Sequence, residues 1–285
     1  MTRSVGFIGL GNIGKPMARR LSDWPAGLWV CDVDPAAVAA LEADGAKVAA
    51  TPRDVAEHAG FISVMVRDDA QVRTVISGDD GILAGADPGT VIAVHSTIHP
   101  DTVAELAELA VARGVHILDA PVSGGAGGAA QGKLAIMVGG ERLAFDLARP
   151  VLERMGELVV HLGPAGAGTA TKLARNMLHF TAFVAAMEAS ALAQAAGVDL
   201  VTLGKIVRHT DAVTGGPGAI MYRDRTGPVA IDDPWRPILE HVRALGEKDL
   251  SFALELAQHL DVEAPVARLA LDRLAVSLGV GSSDD

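Results

Sequence analysis

The chain has 285 residues, is 49% hydrophobic and 21% charged, and carries a formal net charge of -11 with a single cysteine. That length allows one large domain or two modest ones, and the composition is that of a globular protein with a large core. The acidic balance, without a basic cluster, argues against nucleic-acid or membrane partners; the lone Cys31 excludes an internal disulfide and a cysteine zinc site and fits the reducing cytoplasm.

The first segment, Val5 to Gly14, reads as a short apolar strand running into Gly9-x-Gly11-x-x-Gly14. Its apolar run is broken by glycines and lacks a cleavage-type end, which favours a first strand over a signal peptide. A helix with apolar positions Met17, Ala18 and Leu21 should follow. Glycines at these positions permit a tight turn and let a pyrophosphate lie against backbone N–H groups. The context such a loop requires is present, because a second strand, Leu28 to Cys31, ends at Asp32. A carboxylate there can accept both ribose hydroxyls of an adenosine. It would repel a 2'-phosphate, and no arginine follows at once to reverse the preference. The expected cofactor is therefore NAD, with NADP disfavoured.

The strand–helix alternation continues. Thr51-Pro52 opens a helix with a capping threonine and a proline in the first turn. Phe61 to Met65, Thr90 to Val94 and Val115 to Leu118 read as buried strands. In an open parallel sheet ligands bind beyond the carboxyl ends of the strands. Arg67, Ser96, Thr97 and Ser123 to Gly125 then fall on the ligand rim. Ser123 with two following glycines offers a hydroxyl and accessible amides, a small nest for an anion such as a carboxylate. Ala135 to Val138 and Leu158 to His161 should add the last strands, around a helix from Arg142 to Arg154.

From Gly166 the signals become almost wholly helical. A long alanine-rich helix is expected to about Ala196, with a stop and restart at Gly197-Val-Asp. Gly168, Lys172 and Asn176 stand at i, i+4 and i+8, on nearly one helix face. Along that face a glycine admits another backbone or a flat ligand, an ammonium can trade a proton, and an amide can donate and accept hydrogen bonds. The face is expected to point into a cleft between two domains. The most apolar stretch, Met177 to Met187, is too short to span a bilayer before Glu188 interrupts it. Asp211 to Pro237 contains eight Gly or Pro residues and reads as a lid, a pocket-lining loop or a connector. Helices should return from Ala244 to Leu260 and from Pro265 to Leu278, and the tail from Gly279 looks disordered. The nine histidines show no paired metal-ligand spacing, so no metal is expected. Neither a Gly-x-Ser-x-Gly elbow nor a P-loop lysine occurs, which leaves a hydrolase or an NTPase unsupported.

Four separated motifs together resemble the β-hydroxyacid dehydrogenase family, nearest in kind to 3-hydroxyisobutyrate dehydrogenases and related semialdehyde reductases. Phe7 to Met17 looks like its cofactor signature, and Asp119 to Gly125 like its substrate-binding motif. Gly168 to Asn176 is similar to its catalytic motif, and Lys248-Asp249-Leu250 to its C-terminal motif. The resemblance implies an α/β N-terminal domain of Rossmann type, with a doubly wound, mostly parallel sheet, over residues 1–163. It also implies an all-helical domain over 164–285 and a homodimer or homotetramer built through the helical part. Gly9, Gly11, Asn12, Ile13, Gly14, Asp32, Val66, Arg67, Thr97 and Lys248 would meet the cofactor. Ser96, Ser123, Gly124 and Gly125 would meet the substrate with Lys172 and Asn176, the two catalytic candidates. Three departures stand out. Ile13 replaces the family's usual methionine, Met65-Val66-Arg67 stands for Met-Leu-Pro, and Asp211 to Glu247 follows no member.

These readings converge on hydride exchange between NAD and a small 3-hydroxy acid or its semialdehyde, with Lys172 as general acid and base, in a protein with no nucleic-acid or membrane partner. Two alternatives remain: an imine or other carbonyl reductase of the same fold, and a non-catalytic NAD-binding regulatory or scaffold protein. Imine-reducing relatives generally lack the lysine, and scaffold-type relatives have lost it, so Lys172 speaks against both.

Overall fold

Short, nearly continuous apolar runs make the central strands, buried on both faces as a parallel sheet between helix layers requires. The computed structural model describes residues 3–221 and 226–281. In chain order it runs β1 (Ser4–Ile8), α1 (Gly14–Arg19), β2 (Leu28–Cys31), α2 (Pro35–Ala43), β3 (Lys47–Val48), α3 (Pro52–His58), β4 (Ala59–Val64), α4 (Asp69–Ser77), α5 (Ile82–Gly85), β5 (Val91–Val94) and α6 (Pro100–Val111). Then come β6 (His116–Asp119), β7 (Val122–Ser123), α7 (Gly125–Gln131), β8 (Ala135–Gly139), α8 (Arg142–Met155), β9 (Leu158–Gly163), α9 (Ala167–Ala195), α10 (Leu200–Thr214), a 3₁₀ turn (Gly216–Ile220), α11 (Arg236–His259) and α12 (Pro265–Leu278).

The strands form one sheet in the order β3-β2-β1-β4-β5-β6-β8-β7, with β9 also on β8. From β3 to β6 every pairing is parallel. β6 and β7 both run antiparallel to β8, and the single register from Asp119↔Gly139 to Ser123↔Ala135 makes them one interrupted run along it, with β6 also paired to β5. This is the expected doubly wound, mostly parallel sheet. Its two faces carry separate cores. Phe7, Val30, Ala93 and Leu118 meet Met17, Leu41 and Leu152 on one side. Ile8, Ile62, Ile92 and Ile117 meet Val55, Ile76 and Leu106 on the other. Each fully buried side chain of this size contributes ~1.5–3 kcal/mol relative to exposure, so a charge at a central position such as Ile92 would break the layer it packs in.

The chain divides into two compact units, the first ending at Asn176 and the second beginning at Met177. α9 starts in the first and continues through the second. Within the second unit α11 packs on α12 so closely that a Cβ on Gly246 would lie 2.7 Å from Leu274 Cδ2. The Glu188 carboxylate accepts from Val266 N at 2.8 Å and Ala267 N at 3.0 Å, satisfying two of the donors that any helix start leaves open.

Several expectations need correction. Leu21 is buried but lies beyond the end of α1. α11 begins at Arg236, eight residues before the predicted start, because the Gly/Pro-rich stretch before it masks a proline-led first turn. The rest of that stretch holds the end of α10 and the 3₁₀ turn, and 222–225 lie outside the described residues. The tail is not wholly loose: Val280 is buried against Val229 and Leu239, while 282–285 lie outside the described residues. No helix among the described residues is long and apolar enough to cross a membrane.

Candidate functional site

The glycine loop leaves β1 at Gly9, whose φ of 93° is in the region glycine favours. A Cβ on Gly9 would lie 2.2 Å from the Met65 carbonyl oxygen, and one on Gly14 would lie 1.9 Å from that of Gly9. These two glycines are required by the protein's own packing. Gly11 differs: it is exposed, and nothing stands within 4 Å of the place its Cβ would take. That open cradle fits the close backbone approach a dinucleotide pyrophosphate makes. Asn12 is exposed beside it, and Ile13 packs partly into the core.

Asp32 follows β2. One of its carboxylate oxygens accepts from Leu10 N in the glycine loop, and the other from Asp34 N at 2.7 Å. Asp34 in turn caps α2, accepting from Ala36 N at 2.9 Å. The carboxylate that would meet the ribose thus also holds the loop that would meet the pyrophosphate.

Beyond β4 and β5 the Ser96 hydroxyl closes a two-way bond with one residue. It donates to Val66 O at 2.7 Å and accepts from Val66 N at 3.0 Å. Ser96 is buried and staples two adjacent rim loops, whereas Thr97 and Arg67 are exposed. Beneath them His95 is fully buried. Its Nδ1 meets Ala120 O at 2.8 Å and its Nε2 meets Ser63 Oγ at 3.0 Å, joining the ends of β4, β5 and β6. Burial pushes its pKa down to about 4, so the ring is neutral and Nδ1–H is the donor. Nothing local in the chain announces this tie, which joins residues 25 and 32 positions apart.

Ser123 is half-buried at the end of β7, and Gly124 and Gly125 are exposed as they open α7. No atom lies within 4 Å of a Cβ on Gly125 or Gly127. Facing this strand is the first part of α9. Lys172 is 9% exposed and donates from Nζ to Val122 O at 2.7 Å, next to Ser123 in the chain. Burial first, and then the Arg175 charge, lower its pKa. Asn176 is half-buried, and its Oδ1 accepts from Arg175 Nη1 at 3.2 Å, which leaves the amide NH2 to donate elsewhere. Lys248 stands in the second unit, on α11, exposed and paired with Asp249 at 3.2 Å. The first unit therefore brings the predicted anion nest, lysine and amide together. Among the described residues no cluster suited to a metal ion occurs.

Residues 4–163 match the family described as the NAD binding domain of 6-phosphogluconate dehydrogenase. Residues 166–285 match that described as NAD-binding of NADP-dependent 3-hydroxyisobutyrate dehydrogenase. The chain is 54% identical to an uncharacterized oxidoreductase of Mycobacterium tuberculosis, over 99% of this chain and 96% of that one. With the NAD-dependent L-serine dehydrogenase of Pseudomonas aeruginosa it shares 36% identity, over 99% and 95% of the two chains. With that organism's 3-hydroxyisobutyrate dehydrogenase it shares 35%, over 93% and 89%. Among solved structures, a putative oxidoreductase of Mycobacterium avium superposes with a TM-score of 0.93 at 50% identity, covering 98% and 99% of the two chains. The 3-hydroxyisobutyrate dehydrogenase of M. tuberculosis with L-serine gives 0.68 at 32%, covering 96% and 93%. An imine reductase of Myxococcus stipitatus, at 20% identity and a TM-score of 0.77 over 96% and 93%, shares the fold.

Proposed function

The chain belongs to the β-hydroxyacid dehydrogenase family, of the 3-hydroxyisobutyrate dehydrogenase type, and from that membership we propose that it interconverts a small 3-hydroxy acid and its semialdehyde with Lys172 as general acid and base. As a member it is an oxidoreductase acting on CH–OH groups with a nicotinamide dinucleotide. The observation that carries the finer reading is the 2.7 Å bond from Lys172 Nζ to the Val122 carbonyl, which sets the ammonium beside the Ser123 nest.

L-serine and 3-hydroxyisobutyrate, named for two relatives, are both acids with a hydroxymethyl group on the carbon next to the carboxylate. A substrate of the form HO–CH2–CH(R)–COO⁻ suits this arrangement. Its carboxylate meets the Ser123 hydroxyl and the amides at Gly124 and Gly125, and its hydroxymethyl extends toward Lys172. A nicotinamide dinucleotide held by the glycine loop would supply the acceptor for the hydride, two electrons and one hydrogen, released from the carbinol carbon. Neutral Lys172 takes the hydroxyl proton in that direction. In the reverse direction its ammonium returns the proton to the carbonyl oxygen. Burial lowers the lysine pKa and so favours the neutral form that oxidation needs. The Asn176 NH2 steadies the reacting oxygen. Gly9, Gly11, Gly14 and Asp32 would hold the cofactor, with Asn12, Ile13, Val66, Arg67, Thr97 and Lys248 as further candidates. Ser96 acts here through Val66, which it fixes. The buried thiol of Cys31 supports a cytoplasmic setting.

The test compares a 3-hydroxy acid with its methyl ester in wild type and in Ser123→Ala. A charge-assisted anion contact contributes ~1.5–3 kcal/mol. The ester should therefore lose about 10- to 100-fold in kcat/KM, and less once Ser123 is gone. Equal turnover of acid and ester would refute the anion nest and move the neutral-carbonyl or imine reading ahead.

A further inference from the structure

Asp119 is a buried carboxylate at the end of β6 that the proposed chemistry does not use. It is 1% exposed and forms no ion pair among the described residues. Burying an anion without a cation is costly unless hydrogen bonds replace the lost water. Here both oxygens accept backbone N–H groups from the start of α9: Oδ1 from Gly166 at 2.8 Å and Oδ2 from Thr169 at 2.6 Å. Burial raises the carboxyl pKa, and the amides of Thr169 and Gly166 oppose that rise. The carboxylate and the open donors of the helix start compensate one another across 47 and 50 residues of sequence.

We propose that Asp119 is the positioning residue that fixes Lys172 against the Ser123 nest, by clamping the first turn of α9 onto the continuous run formed by β6 and β7.

Three observations support the clamp. First, the short strand segment holding Asp119 also supplies Val122 O, which accepts from Lys172 Nζ. One strand run thus fixes the helix at its first turn and at the lysine itself. Second, no slack is left between helix and sheet. A Cβ on Gly168 would lie 2.3 Å from Met137 O and 2.6 Å from Asp119 O. Third, the carboxylate has a fitted seat, since a Cβ on Gly139 would lie 2.4 Å from Asp119 Oδ1. Loosening the clamp should let the helix start lift and admit water to Lys172. The ammonium, no longer penalised by burial, would then regain a more ordinary, higher pKa. The groups facing Lys172 in that change are Arg175 on its own helix and the Val122 carbonyl on the strand beside it.

The inference rests on Lys172 being the acid–base group, so the two are separated by assaying Lys172→Ala beside Asp119→Asn. Asparagine keeps the shape, but it turns an NH2 toward one of the two helix amides. For Asp119→Asn we expect kcat to fall about 10- to 100-fold, NAD affinity by fluorescence titration to stay within about twofold, and the limb of the kcat/KM pH profile to move to higher pH by about one. If Lys172→Ala is inactive while Asp119→Asn keeps the wild-type rate and limb, the clamp is refuted and the acid–base reading stands. If Lys172→Ala stays active, the acid–base reading itself fails. An Asp119→Asn protein that has lost NAD binding together with its fold would make Asp119 a general structural residue, which also overturns the clamp.

Discussion

The two units solve the burial problem in opposite ways. In the first, every residue of β5 is buried, and the sheet is covered by helices on both faces. In the second, α10 buries no residue, and α9 buries only Gly168, Thr169 and Lys172, all in its first six positions within the first unit. Beyond them α9 exposes Leu173, Met177, Phe180, Val184 and Met187, at the alternating spacing of four and three that makes a seam for another helix. A two-faced sheet can finish its own core. A set of long helices with apolar stripes cannot, and exposed apolar surface on this scale marks an interface. We read the first unit as holding the chemistry and the second as holding the association with a second copy.

The sharpest test of that division is Lys172→Ala. Losing a general acid–base group costs about 10²–10⁴ in rate. Because the role proposed for Lys172 includes polarising the carbonyl, the loss should fall at the upper end. NAD affinity and the oligomer seen by light scattering should not change. A tenth of wild-type kcat in a folded mutant would remove Lys172 from the proton transfer.

Next in size is the seam. Phe180 is 61% exposed, and covering such a side chain contributes ~2 kcal/mol, counted twice in a symmetric pair. Phe180→Glu should therefore weaken self-association roughly 10³-fold, giving monomers at micromolar concentration while the sheet of the first unit keeps its melting behaviour. If wild type itself is monomeric by light scattering, the division of labour fails.

Acid should strike the first unit before the second. His95 is the buried neutral histidine, while His209, His241 and His259 are exposed and His179 is half-buried. With a folded pKa of about 4 against 6.5, His95 contributes stability that is complete above pH 6.5 and is lost as pH falls toward 4. The shift corresponds to ~3 kcal/mol. Asp119, with its raised pKa, works the other way and offsets part of the loss. Thermal melts from pH 7 to 4.5 should show a falling Tm that is flatter in His95→Gln. Parallel slopes for the two proteins would assign the acid sensitivity elsewhere.

How much of this was legible in the sequence depends on how local the cause is. Thr51 and Asp54 form a reciprocal cap around Pro52, as a three-residue spacing allows one to read. Gly197, at φ 76°, stops α9 where a glycine before a new cap implies a stop, and Asp199 caps α10. β3 was missed because its two residues, Lys47 and Val48, are short, exposed and without alternation. The same limit applies in the site. The i, i+4, i+8 face announced Gly168, Lys172 and Asn176, yet whether Gly168 admits a ligand or a backbone depended on Met137, 31 residues away, and the answer is backbone. Ser96 looked like a rim hydroxyl, and its bond to Val66 is visible only once β4 and β5 are paired.

The smallest expected effect is cofactor choice, which depends on one corner of the first unit. Asp32 and Asp34 are both engaged by backbone N–H groups, so neither carboxylate can swing far from the end of β2. A 2'-phosphate placed on the ribose that Asp32 would hold meets at least one fixed like charge, at a cost of about 1–3 kcal/mol in a partly shielded site. Arg53 is occupied by Glu57 at 3.1 Å. Arg67 is exposed on the rim beyond β4 and is the cation to test as an offset to the phosphate. NAD should therefore exceed NADP in kcat/KM by about 10- to 100-fold. Asp32→Asn should narrow the gap by removing the charge, and should weaken NAD as well, because the Leu10 amide then shares a poorer acceptor. Equal kcat/KM for the two cofactors in wild type would refute the repulsion. Equality that disappears in Arg67→Ala would show that the arginine beyond β4 outweighs the carboxylate beyond β2.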